Sequence, residues 1–270
     1  MNRLILITGC LISQLSLAQV YPQIGARSNA LGGASLALTD VWSVYNNPGA
    51  FGALEQTAVG VAYENRFLLK EMSTQSLAFG YHTKSAGNFG LHFQQYGFSL
   101  YRESQGGLSY GMKFFDNFSG GISLHYHRIA LGENYGTKNT FSAALGLLYS
   151  LNKDISFSMR VLNINRAPLA DDEDERLPTT FSLGAIYRFS EKAFWSIDAE
   201  KDLVHPINIR SGIEIKAHEI FALRIGVMSY PFQASFGFGL KFANFYFDMA
   251  SSWHAQLGMS PSAGLHYSFK

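Results

Sequence analysis

Pro206-Ile207-Asn208-Ile209-Arg210-Ser211-Gly212-Ile213-Glu214-Ile215-Lys216 is the stretch from which the fold is read. Ile207, Ile209, Ile213 and Ile215 fall on one face, and Asn208, Arg210, Glu214 and Lys216 on the other, which is the period-two alternation of a β-strand. The same pattern surrounds it. Phe221, Leu223, Ile225 and Val227 oppose Ala222, Arg224 and Gly226, and Phe236, Phe238 and Leu240 oppose Ser235, Gly237, Gly239 and Lys241. Upstream, Phe181, Leu183, Ala185, Tyr187 and Phe189 oppose Ser182, Gly184 and Arg188, and Ile155, Phe157, Met159 and Val161 oppose Ser156, Ser158 and Arg160. In a soluble sandwich the non-apolar face would be solvated and strongly charged. Here it is mostly Ser, Gly and Ala with an occasional charge, which suits the crowded polar interior of a membrane barrel whose large apolar side chains face lipid.

Continued along the chain, the pattern predicts strands near 57–65, 75–83, 87–96, 107–115, 118–128, 139–151, 154–163, 179–189, 192–200, 206–216, 219–228, 232–242, 244–253 and 262–269. Short links such as Asp116-Asn117 and Ser190-Glu191 alternate with longer ones around 66–74, 97–106, 129–138 and 164–178. Transmembrane barrels have short periplasmic turns and longer extracellular loops. The expected fold is therefore all-β, a transmembrane antiparallel β-barrel of about fourteen strands with both ends periplasmic. Phe114, Phe118, Tyr149, Tyr187, Phe189, Phe242, Phe245, Tyr267 and Phe269 gather at the short-link ends with lipid-facing parity, as an aromatic girdle does.

Composition agrees. Only 15% of residues are charged, against roughly 25% in soluble domains. The net charge of +1 offers no electrostatic case for a nucleic-acid partner. Met1-Asn2-Arg3 followed by the apolar Leu4–Leu17 and Ser16-Leu17-Ala18 reads as a secretory signal peptide over 1–18. Ile7-Thr8-Gly9-Cys10 resembles a lipoprotein cleavage box, but only six residues separate Arg3 from Cys10 and the apolar run continues beyond it. Cleavage after Ala18 would leave a mature chain without cysteine, hence without a disulfide or thiolate site. The expected location is the Gram-negative outer membrane, with its lipid as one partner and residues 55–270 as the barrel.

Residues 19–54 do not alternate. Gly25 to Ala34 is small and glycine-rich, Ser35 to Tyr45 predicts a short helix, and Asn46-Asn47-Pro48-Gly49 a turn. Placed before the first strand, the segment is expected to fold into the lumen as an N-terminal plug, with Arg27, Leu31, Gly32, Gly33, Asp40, Trp42, Asn47 and Pro48 as its key residues. Arg27 and Asp40 are expected to meet lumen charges of opposite sign.

Gly25-Ala26-Arg27, Ala30-Leu31-Gly32-Gly33-Ala34, Asp40 and Asn47-Pro48 together resemble the opening of FadL-like outer-membrane proteins, and among them the PorV/PorQ branch of Bacteroidota. The usual Asn-Pro-Ala is here Asn47-Pro48-Gly49. The resemblance implies fourteen strands and a plug, and it implies two functions that differ in kind. FadL-type relatives are passive channels for hydrophobic small molecules, controlled by the plug and a lateral wall opening. PorV/PorQ-type relatives serve the type IX secretion machinery, holding or handing over secreted proteins. The interior parity carries few large apolar residues (Phe115, Leu148, Leu162, Ile186 and Phe194), which favours a binding or scaffolding barrel over a hydrophobic channel.

No catalytic constellation stands out, no Gly-x-Ser-x-Gly elbow occurs, and no enzyme or cofactor is expected. His125 and His127 share interior parity with Ser123, a spacing compatible with a metal but equally with a plain polar wall. The interior charges Arg160, Arg188, Asp198, Glu200, Arg210, Glu214, Arg224, Lys241 and Asp248 read as a salt-bridged filling rather than an ion path, since isolated charges in a confined interior are costly. The acidic run Asp171 to Glu175 matches no EF-hand loop and reads as a solvated tip.

Overall fold

Alternating side chains settle only where every strand edge is paired, because an open edge in lipid leaves backbone N–H and C=O groups unsatisfied. In the computed structural model, described for residues 23–132, 136–168, 176–203 and 205–269, fourteen strands close completely. They are β1 Ala58–Asn65, β2 Ser73–His82, β3 Asn88–Gly97, β4 Tyr101–Phe115, β5 Phe118–Leu131, β6 Thr137–Ser150 and β7 Ile155–Leu162, then β8 Thr180–Ser190, β9 Ala193–Asp202, β10 Asn208–His218, β11 Phe221–Ser229, β12 Phe232–Phe242, β13 Phe245–His254 and β14 Gly258–Ser268. Each pairs antiparallel with its sequence neighbours, and β14 returns to β1 with Ala58 opposite Ser268 and Glu64 opposite Ser262. The expected signal peptide over 1–18, with Cys10, and the acidic run Asp171 to Glu175 lie outside the described residues.

The faces follow the alternation. In β10, Arg210 and Glu214 are 2% exposed, whereas Ile209 and Ile215 are about half exposed. Phe236, Leu223, Ile225 and Leu145 are likewise exposed around the outside. So broad an apolar band is tolerable only against lipid. Among the described residues no helix is long and apolar enough to cross a membrane.

At one rim the links are 83–87, 116–117, 151–154, 191–192, 219–220 and 243–244; at the other they are 66–72, 98–100, 132–136, 163–179, 203–207, 230–231 and 255–257. Aromatic pairs line the first rim: Phe114 with Phe118, Tyr187 with Phe189 and Phe245 with Tyr267, at centroid separations of 4.7–5.9 Å.

Two sequence expectations need correction. The long loop expected at 97–106 is only 98–100, because β4 begins at Tyr101 and keeps its ladder with β3 and β5 up to Arg102. Its first residues are polar on both faces, so they carried no alternation to read. Phe115, expected inside, is 71% exposed. A bulge between Lys113 and Phe115 shifts the register, and a one-residue slip moves a side chain to the other face.

Candidate functional site: the lumen and the segment inside it

Residues 23–54 lie within the barrel. They carry three short helices, α1 Ala26–Ala30, α2 Ser43–Asn46 and α3 Pro48–Phe51. The helix expected over Ser35–Tyr45 starts later. The Asp40 carboxylate accepts the Trp42 N–H at 3.0 Å and its carbonyl accepts the Ser43 hydroxyl, a side-chain turn that initiates α2 there. Asn47, extended as the residue before a proline should be, caps α3 by accepting the Gly49 N–H at 2.9 Å, with Pro48 in the first turn. Asn46 exchanges two hydrogen bonds with the Ile24 backbone, at 2.8 and 3.0 Å, holding the start of the segment against α2.

Helices of four or five residues cannot satisfy their own terminal backbone groups, so the wall does it. Ser109 donates to Val44 O at 2.6 Å, Ser119 to Gly49 O at 2.7 Å and Ser196 to Ala34 O. Asn88 donates to Phe51 O and Leu54 O, at 2.8 and 2.9 Å. These three luminal serines are thus donors to the segment rather than generic polar filling. Close approach needs glycine in the wall, as two contacts show. A Cβ on Gly146 would strike Asn47 Oδ1 and Gly49 N, and one on Gly226 would strike the Leu31–Gly32 peptide. With those contacts made, Leu31, Leu36, Val41, Trp42, Val44 and Phe51 are all at most 1% exposed.

Buried charges form two ladders. In one, Glu200 joins Arg160 at 3.2 Å and Arg210 at 2.7 Å, and Arg160 also donates to Asn46 O at 2.7 Å. In the other, Glu214 accepts Arg27 through both carboxylate oxygens, at 2.8 and 2.9 Å, and Arg224 at 2.7 Å. Arg224 continues to Asp248 at 2.6 Å. Paired and hydrogen-bonded in this way, the charges offset the cost of leaving water. Arg27 is the one cation by which the segment itself enters a ladder. Asp40 pairs with Arg27 of the same segment, at 3.1 Å, and among the described residues it has no ion pair with the wall. Asp198 accepts the Leu36 N–H at 2.9 Å, Arg188 reaches Ser156 at 3.2 Å, and the Lys241 ammonium stands 5.3 Å from the centroid of the Tyr246 ring. Leu31 belongs to one apolar cluster with Leu38, Leu148 and Ile186, while Gly32 and Gly33 turn the chain with left-handed backbone.

Sequence reasoning did not single out Ser109, Ser119, Ser196 or Asn88; their small polar character at interior positions is the one signal that could have found them. His125 contacts His92 at 3.1 Å and Gln105 at 3.3 Å, and His127 contacts Ser142 at 2.7 Å. Among the described residues no three His, Cys, Asp or Glu side chains are arranged to hold a metal.

Two further features bear on passage. A cavity of about 580 Å³ opens at the short-turn rim, with Arg27, Asp40, Leu54, Lys241 and Asp248 in its wall. The wall also has a seam. The ladder between β6 and β7 stops at Ala144 opposite Leu162, so residues 137–143 of β6 lack a β7 partner. The chain after β7 covers them through Ile164 N–H to Ala143 O, at 3.0 Å, and through the Asn165 side chain, bonded to Ala143 N and Phe141 O at 3.0 and 2.8 Å.

No protein-family model matches the chain, and neither does any curated protein sequence. Solved structures do. The toluene transporter TodX of Pseudomonas putida matches at TM-score 0.69 and 12% identity, over 91% of this chain and 98% of its own. The monoaromatic hydrocarbon channel CymD matches at 0.67 and 12%, over 91% and 97%. A FadL homologue of Pseudomonas aeruginosa matches at 0.55 and 13%, over 88% and 95%. Likeness at such identity concerns architecture, and it does not single out the PorV/PorQ branch. The chain has the FadL-like outer-membrane barrel fold.

Proposed function

We propose that this chain is a passive outer-membrane route for small hydrophobic molecules, closed at rest by residues 23–54. The observation that carries the reading is the fold shared over nine-tenths of the chain with a toluene transporter and a monoaromatic hydrocarbon channel. The β6–β7 seam supports it, because three hydrogen bonds to a loop are easier to part than a continuous ladder. This reverses the preference drawn from interior composition alone. The test is uptake of radiolabelled toluene by Gram-negative cells lacking their own channels of this type. Expression of this chain should raise the initial rate several-fold, and an unchanged rate would overturn the proposal.

A second reading, a binding or scaffolding barrel for type IX secretion, is favoured by one observation: the luminal segment is packed as tightly as a protein core, with Trp42 and Phe51 essentially without exposure. Affinity purification from native outer membrane in mild detergent separates the two. Stoichiometric secretion-machinery proteins favour the scaffold, and bound hydrophobic small molecules without protein favour the channel.

A further inference from the structure

The outer face of β2–β6 changes chemistry abruptly near the long-link rim. Leu77, Phe93, Gly106, Tyr126 and Phe141 form one cross-strand row, each opposite the next. The next row toward that rim is Gln75, Gln95, Ser104, Arg128 and Asn139, also in register. The apolar row is exposed, Phe93 by 45% and Phe141 by 67%, so the boundary between the rows marks where hydrocarbon gives way to headgroups.

Two guanidiniums stand at this boundary. Arg102 lies opposite Ala130 and Arg128 opposite Ser104, which makes the two arginines diagonal neighbours, about 7 Å apart in ordinary sheet geometry. Both are exposed on the outer face, and neither has an ion-pair partner among the described residues. The nearest acidic residue in sequence, Glu103, points the other way and bonds Tyr101. Two like charges at diagonal positions repel unless an anion lies between them, and Arg matches phosphate oxygens with paired N–H groups. Directly below, Gly106 leaves a slot between its cross-strand partners Phe93 and Tyr126; a Cβ there would meet nothing closer than 3.9 Å. Two positions farther along the same outer face of β4 stands exposed Leu108.

We propose that Arg102 and Arg128, with Ser104 and the Gly106 slot, form a binding site for one phosphorylated glycolipid of the outer leaflet. The phosphate sits between the guanidiniums and an acyl chain lies in the slot. Charge complementarity selects the headgroup, and the apolar row selects a lipid over a soluble anion. The inference rests on the barrel and its orientation, not on what crosses the lumen.

The test is native mass spectrometry of the full chain in mixed micelles with bis-phosphorylated lipid A or its fully dephosphorylated form. The wild type should retain the phosphorylated lipid at least tenfold better, and R102Q/R128Q should lose that preference while keeping the heat-modifiability of a folded barrel. G106L should lower retention of both lipids. Equal retention of the two lipids by the wild type, a measurement independent of any variant, would overturn the site. So would an unchanged preference in R102Q/R128Q. Complete displacement of the lipid by inorganic phosphate would show a simple anion site and overturn the lipid assignment.

Discussion

Replacing Arg27 with alanine tests whether the luminal segment is held by charge. Arg27 makes three charge-assisted contacts, to Glu214 at 2.8 and 2.9 Å and to Asp40 at 3.1 Å. Hydrogen bonds to charged groups contribute about 1.5–3 kcal/mol each in favourable settings. Two features reduce the total: Glu214 keeps Arg224 at 2.7 Å, so it is not orphaned, and the Arg27 side chain is 21% exposed, so solvent screens part of the attraction. The expected net loss is about 2–3 kcal/mol, at or just below the roughly 3–5 kcal/mol of breaking a fully buried pair. At 1.4 kcal/mol per factor of ten, that is about a 30–150-fold shift in the opening of the segment. Hydrogen exchange with mass spectrometry reads this directly. Amides of 25–46 should exchange faster by that factor, while those of β2–β5, which lie away from the ladder, should keep wild-type protection. Arg27→Lys, which keeps the charge but loses the two-pronged contact, should fall between. Unchanged exchange in 25–46 would refute the idea of a charge-held segment. Uniform acceleration through every strand would refute it as well, since the ladder would then be stabilising the whole barrel rather than seating the segment.

Three other outcomes follow from the same geometry. Gly146→Val should displace α3 without altering the lipid face, because its side chain would occupy the space of Asn47 and Gly49, and limited proteolysis should then cut within 36–52 in a barrel that still shifts on heating. Phe236→Arg, on the exposed outer face, should cost about 2–4 kcal/mol and reduce heat-modifiable barrel, as charges at mid-membrane do; an unaffected variant would mean that the faces are assigned backwards. Cysteine at Glu71 should label from outside intact cells and cysteine at Asn117 should not, and the opposite pattern would invert the topology.

The sequence alone determined the architecture. Alternation at period two, Ser and Gly on one face, large apolar groups on the other and aromatics at the short-link ends are each imposed locally, strand by strand, by lipid outside and crowding inside. That is why fourteen strands could be counted from residues such as Ile207 to Ile215 without any long-range information. The reading failed where those constraints lapse. From Tyr101 to Gln105 β4 extends beyond the apolar band, so nothing forces its outer face to be apolar, and a real strand looked like a loop. At Phe115 a bulge defeated parity. Tertiary structure decided the rest: that Arg27 meets Glu214, 187 positions away, that Asp40 turns back to Arg27, and that wall serines serve the carbonyls of residues 34–49. Parity states which way a side chain points. Which partner it finds across a lumen depends on the shear of the closed barrel and on the path of the segment within it, and neither is written in any local pattern.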